Sequence, residues 1–129
     1  MKTLLTIFTL VFTVMFSSTS FAEWTKVLEN ADGNTFYVDF ERIRKVDGYV
    51  YYWFLGDLLK PDKYGNLSSK VYKQGDCKLF RFKVLSDTYY NQPMGKGDKT
   101  GGSNKPDKEW NHPPPNSPME FILKSVCSR

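Results

Sequence analysis

Cys77 and Cys127 are the only cysteines in this chain and His112 its only histidine, so few groups are available for chemistry. Two thiols can form a redox pair, ligate a metal or close a covalent staple. A thiol oxidoreductase keeps its pair at the close C-x-x-C spacing, whereas these lie fifty positions apart, which favours a structural bridge. A single histidine excludes a multi-histidine metal cluster. His112 also precedes Pro113, Pro114 and Pro115 in a loop, with no nucleophile or orienting acid that the sequence can place beside it.

Asp39 and Glu41 have the residue types of a glycosidase pair, but that chemistry depends on their separation in space. Solvated, turn-forming acids are the simpler reading. Gly95-Lys96-Gly97 and Gly101-Gly102 could offer backbone N–H groups to an anion. Their spacing matches neither a P-loop nor a dinucleotide fingerprint. Phe80-Arg81-Phe82-Lys83 interleaves rings and bases as a nucleic-acid-stacking strand does. On a strand, however, the rings take one face and the charges the other, so the rings are expected in the core. No catalytic residue, metal ligand set, cofactor or nucleic-acid partner is expected, and the chain reads as a non-enzyme.

The start of the chain sets its compartment. Lys2, the apolar block 4–16 and Ser20-Phe21-Ala22 before Glu23 form the charged start, hydrophobic core and small-x-small end of a secretory signal peptide, residues 1–22. The apolar block is shorter than the roughly 20 residues of a bilayer-spanning helix, so no transmembrane segment is expected in the mature chain. The residue directly after the expected cleavage site is Glu23 and not a cysteine, so no lipid anchor is read there. Export, to the periplasm or to the cell surface or medium, exposes both cysteines to an oxidising space where they pair. Residues 23–129 suffice for one domain with a thin core. Eighteen Lys and Arg against 14 Asp and Glu give a mildly basic protein of net charge +4 before Lys2 is lost. Many plain soluble domains carry that balance.

The elements that must position these residues are mostly strands. Segments 24–29, 35–40, 43–46, 49–59, 67–73 and 77–90 are rich in Val, Tyr, Phe and Trp and are separated by turn clusters. Asp32-Gly33-Asn34, Asp47-Gly48 and Gln74-Gly75-Asp76 mark tight reversals. Short connections favour an antiparallel meander of five or six strands. Residues 49–55 are apolar on both sides, so this strand is either doubly covered or half exposed for binding. In 77–90, Phe80, Phe82 and Val84 share the better core face. Residues 91–116 hold most of the prolines and a glycine-rich run, and read as a long, flexible loop. One helix closes the chain. Ser117 is its N-cap, Pro118 its first residue and Glu120 completes a capping box. Met119, Ile122, Leu123 and Val126 form its apolar stripe, with Cys127 on the sheet-facing side. The bridge would then pin the end of the helix to the start of the last strand. The fold class is α+β: an antiparallel sheet packed by one C-terminal helix with one disulfide.

The mature chain resembles the surface-adhesin protein E family of bacterial envelope proteins. The likeness is carried by Ala22-Glu23-Trp24-Thr25-Lys26-Val27, Tyr37-Val38-Asp39 and Ile43-Arg44-Lys45. It continues through Asp76-Cys77, Tyr89-Tyr90, Met94-Gly95-Lys96-Gly97, Trp110 and the closing run 121–127. The resemblance implies an antiparallel sheet backed by a C-terminal helix, with the two cysteines joined. It also implies attachment to host extracellular-matrix proteins and serum factors, and dimerisation.

The function expected is therefore an exported, non-catalytic envelope binding protein with an extracellular or envelope protein partner. Its contact surface is placed at Tyr49, Tyr51 and Trp53 on the sheet, with Trp110 and the basic loop carrying Lys96 and Lys99. Tyrosine and tryptophan supply large, rigid contact area at such surfaces. The alternative is a periplasmic structural or assembly accessory with no host ligand.

Overall fold

The computed structural model describes residues 22–129, so the signal peptide expected over 1–22 lies, except for Ala22, outside the described residues. Seven strands form one antiparallel sheet: β1 (Thr25–Glu29), β2 (Thr35–Val38), β3 (Arg44–Val46), β4 (Tyr49–Asp57), β5 (Ser68–Asp76), β6 (Arg81–Tyr90) and β7 (Lys99–Ser103). Their order is β1-β2-β4-β5-β6-β7, with β3 also paired to β4. β4 is longer than either neighbour on that side. Its C-terminal half pairs with β2 and its N-terminal half with β3. A 3₁₀ turn, Phe40–Arg42, carries the chain from one to the other. The helix α1 (Pro118–Cys127) covers one face. Among the described residues no helix is long and apolar enough to cross a membrane.

Alternation along β4 buries Val50, Tyr52 and Phe54 beneath α1. Val38 from β2 and Val71 from β5 join them, and Ile122, Leu123 and Val126 descend from the helix, all three completely buried. Each such aliphatic side chain contributes roughly 1.5–3 kcal/mol through removal from water. Ser117 Oγ accepts the Glu120 N–H, as the capping signature predicts. The return bond differs: Glu120 Oε1 accepts from Asn116 N–H, one residue before the cap. Cys77 and Cys127 are joined, their Cα atoms 5.7 Å apart. Closing a loop of 50 residues removes roughly 4 kcal/mol of denatured-state freedom in the chain-entropy model.

Three details depart from the sequence reading. First, the sheet has seven strands, because Lys99–Ser103 pairs along Tyr90 to Asp87. That segment, Lys-Thr-Gly-Gly-Ser, has no apolar alternation to betray it and all five residues are exposed. Second, β5 runs through Gly75 and Asp76, and the reversal falls at Cys77-Lys78-Leu79-Phe80, with Phe80 at φ 51°. A Cβ on Gly75 would come within 2.8 Å of Val50 Cγ1 and 2.9 Å of Leu123 Cδ1. The glycine is needed where the helix settles on the sheet, not for a turn. The disulfide therefore ties the helix end to the β5–β6 turn. Third, segment 91–116 is held along one edge of β6. Beyond β7, Asp107 N–H donates to Val84 O, Val84 N–H to Asp107 Oδ2, and Asn111 and Phe82 exchange backbone bonds.

Candidate functional site

The sheet face away from α1 carries the rings. Period-two alternation in β4 sends Tyr49, Tyr51, Trp53 and Leu55 to this side. Leu55 is fully buried, while the three rings are half-buried. Register across β4 and β5 sets Trp53 opposite Tyr72, with ring centroids 4.8 Å apart. Tyr51 stacks on the same Tyr72 at 6.3 Å, and its hydroxyl accepts from Gln74 Nε2. Tyr49 stacks on Trp110 at 5.7 Å and 24°. The pair Trp110–Tyr49 and the cluster Tyr51–Tyr72–Trp53 thus share this face, set in one row by the alternation of β4.

Trp110 arrives from the long segment because the Asn111–Phe82 bridge fixes it beside β6. There the Arg81 guanidinium lies 4.3 Å and Lys83 Nζ 4.9 Å from its ring centre. Cation–π contacts of this kind contribute about 0.5–2 kcal/mol, more as water is excluded. Arg81 is held from below by Asp76, Nε to Oδ2 at 3.0 Å. Burial pushes the Asp76 carboxyl up, but the Leu79 N–H and Arg81 outweigh it and hold the group below its usual range. At the other end of the row, Lys70 Nζ sits 5.2 Å from the Tyr90 ring centre. Lys99 of β7 shares a cavity of about 290 Å³ with Trp53 and Lys70.

The fold thus gathers Tyr49, Tyr51, Trp53, Trp110 and Lys99 on one face. Lys96 is exposed beyond the 3₁₀ turn Pro93–Gly95 and makes none of these ring contacts. Sequence reasoning passed over Tyr72, which joins two of the rings, and over Arg81 and Lys83 as contributors. Their signal was the alternation that sends Phe82 to the core and the two bases to the opposite face. Only the fold brings a tryptophan from a distant segment onto those bases.

The residues weighed for catalysis are dispersed. His112 is exposed, as is Glu41, whereas Asp39 is buried, 1% exposed, at the start of the 3₁₀ turn. Asp39 is therefore not the solvated acid expected. In the glycine run Gly95 N–H donates to Ser68 Oγ and Lys96 N–H to Pro93 O, and the neighbouring Met94 N–H donates to Asp57 Oδ1. Among the described residues no group of His, Cys, Asp and Glu is arranged to hold a metal ion. On the helix side, Lys73 is 2% exposed, with Nζ 2.6 Å from Met119 Sδ and 4.0 and 4.4 Å from the Phe82 and Phe54 ring centres. Burial lowers its pKa from 10.5 to about 7, opposed by the charge of Asp107.

Comparison with solved structures returns protein E of Haemophilus influenzae. Crystal form II superposes with a TM-score of 0.62 at 18% identity, covering 81% of this chain and 87% of that one. A second structure of that protein gives 0.60 at 18%, over 81% and 83%. Protein E from non-typeable Haemophilus influenzae gives 0.56 at 15%, over 86% and 79%. At such identities the likeness shows the fold. A search of curated proteins finds no match. The family model for surface-adhesin protein E matches residues 24–128, nearly all of the described chain, including both cysteines and every residue of the ring row. The chain belongs to the surface-adhesin protein E family.

Proposed function

We propose that this chain is an exported, non-catalytic binding protein of the adhesin type, which captures a macromolecular partner on the ring-and-base face of its sheet. The observation that carries the reading is the row from Trp110 to Trp53, left uncovered on the face opposite α1, with Arg81 and Lys83 against Trp110. Half-buried, mutually stacked rings are already ordered, so a partner that covers them gains area at little cost in side-chain entropy. The bases favour an acidic partner surface and speed encounter with it. Family membership supports an extracellular protein as that partner, in keeping with the export signal.

The test is capture of the purified protein by immobilised matrix glycoproteins and serum factors, compared with Tyr51→Ala/Trp53→Ala and Lys83→Glu/Lys99→Glu double variants. Removing one aromatic anchor of about 2 kcal/mol weakens binding roughly 30-fold, so removing two should weaken capture by up to about 1,000-fold. Charge reversal should slow association and remove its salt dependence. A folded aromatic variant that binds as tightly as the parent would refute the placement of the surface. No affinity for any of these ligands, with crosslinking to an envelope component in cells, would replace the adhesin reading with that of a periplasmic accessory.

A further inference from the structure

A carboxylate without a hydrogen-bond partner lies in the cavity beside Trp53. Asp39 is 1% exposed, and among the described residues neither Oδ1 nor Oδ2 has a hydrogen-bond partner. Arg42 Nε stands 3.4 Å from Oδ2, close enough to attract it, yet this does not satisfy the two oxygens, and about half of the Arg42 side chain is in water. The backbone fixes this position. Asp39 N–H donates to Trp53 O, and Asp39 O accepts from Arg42 N–H. A buried carboxylate left in this state is costly, so a cationic donor is expected to complete it.

The cavity walls say which donor. Ala22, Trp24 and Trp53 line the cavity together with Asp39, and Lys70 and Lys99 border it. One carboxylate and two indoles suit a primary ammonium. The groups facing this space are Asp39 and Arg42 from the turn, Lys70 from β5, Tyr90 from β6 and Lys99 from β7. Three of them are cations that repel a freely diffusing amine. A tethered amine overcomes that repulsion, because the chain itself sets a high effective concentration at the site. Ala22 and Trp24 both line the cavity, and the residue between them is Glu23. Its nitrogen belongs to the peptide bond at which the sequence places signal-peptide cleavage.

We infer that the Asp39 cavity is an ammonium site completed by processing: cleavage after Ala22 frees the α-amino group of Glu23, which pairs with Asp39. The inference rests on the export reading of residues 1–22 and is independent of what the ring row binds. The reaction is hydrolysis. One water is consumed, Ala22 leaves with a new carboxylate, and the Glu23 nitrogen becomes an amine that is protonated at neutral pH. The liberated terminus is thereby held beside Trp24 and Trp53, and the unprocessed chain lacks the pair.

The experiment begins with the full chain, expressed with its own leader and recovered after export. Intact mass should show a chain beginning at Glu23; any other start overturns the inference. The α-amine should titrate about one pH unit or more above the usual 7.7–8.0 of a chain terminus, and acylate roughly tenfold more slowly at neutral pH than in Asp39→Asn. Equal titration in parent and variant overturns the pairing. Should Asp39→Asn fail to fold, selective Nα-acetylation of the parent gives a second reading. The acetylated form should unfold at lower urea than the free amine, and coincident curves overturn the inference. Saturable quenching of tryptophan fluorescence by a small diamine, in the parent but not in Asp39→Asn, would show a cavity open to diffusible amines and overturn the tethered occupant.

Discussion

Replacing Lys73 with methionine should raise stability at neutral pH and flatten its dependence on pH. Lys73 is 2% exposed beneath α1, and burial brings its pKa from 10.5 down to about 7. The unfolded chain keeps the proton on this lysine until near 10.5, whereas the folded chain releases it near 7. Between those values the unfolded state binds more protons, so stability rises with pH. The folding penalty from the buried charge is full below about pH 7, shrinks through the alkaline range and is gone above about 10.5. At 1.36 kcal/mol per pH unit the whole gap is on the order of 5 kcal/mol, of which about 3 kcal/mol falls between pH 7 and 9.5. The Phe54 and Phe82 ring faces and the Met119 sulfur offset part of the desolvation cost and are already contained in that net effect.

Urea denaturation followed by circular dichroism reads this directly. With a slope of about 1.5 kcal/mol per molar, the parent midpoint should rise by about 2 M between pH 7 and 9.5. The Lys73→Met midpoint should rise by much less and exceed the parent's at about pH 6. Methionine fills similar volume with an unbranched chain, so cavity effects stay small. Burial also raises the Tyr52 and Tyr89 hydroxyls above their ordinary range, which lowers stability only above about pH 10, so the series stops short of that. Identical pH slopes in parent and variant would refute the reasoning, because Lys73 would then titrate alike in folded and unfolded chains.

Other expectations follow from single contacts. Gly75→Ala should cost about 1–3 kcal/mol by chemical denaturation, since its Cβ would collide with Val50 and Leu123; a neutral result would mean that the helix lifts freely. Reduction, or Cys127→Ser, should cost roughly 2–5 kcal/mol and speed amide exchange in α1 first; an unaltered melting temperature under reductant would contradict the staple. Trp110→Ala should lose roughly 1–2 kcal/mol of stability together with partner capture, as it removes one stacked pair and two cation contacts; a full-strength binder would exclude this end of the row. Asp76→Asn should be destabilising at neutral pH but progressively less so as acid protonates the parent's carboxyl, because that group's folded-state pKa is depressed; a difference independent of pH would contradict its pairing with Arg81.

Local patterns carried much of this protein in the sequence. Ser117, Pro118 and Glu120 marked the start of the helix, because capping is decided within four residues. Alternation named the faces of β4 and of the first part of β6, up to Val84, because side-chain direction in a regular strand follows parity; beyond it a register shift opposite Tyr72 and Lys73 exchanges the faces. Two cysteines in a chain that reads as exported sufficed to predict the bridge. What the tertiary structure decided are the relations that have no local signal. β7 is a strand because β6 offers an edge, not because Lys-Thr-Gly-Gly-Ser prefers one. Gly75 looks like a turn residue until Leu123 descends on it from 48 positions away. Trp110 meets Arg81 and Tyr49 through the Asn111–Phe82 bridge, and Asp39 is a buried carboxylate only in the assembled fold, where its N–H donates to Trp53 O and it shares a cavity with Trp24 and Trp53. Sequence fixes what each residue can offer, since side-chain chemistry and strand parity are local. Which residues meet is set by strand order and register, because those follow from the burial of the whole sheet.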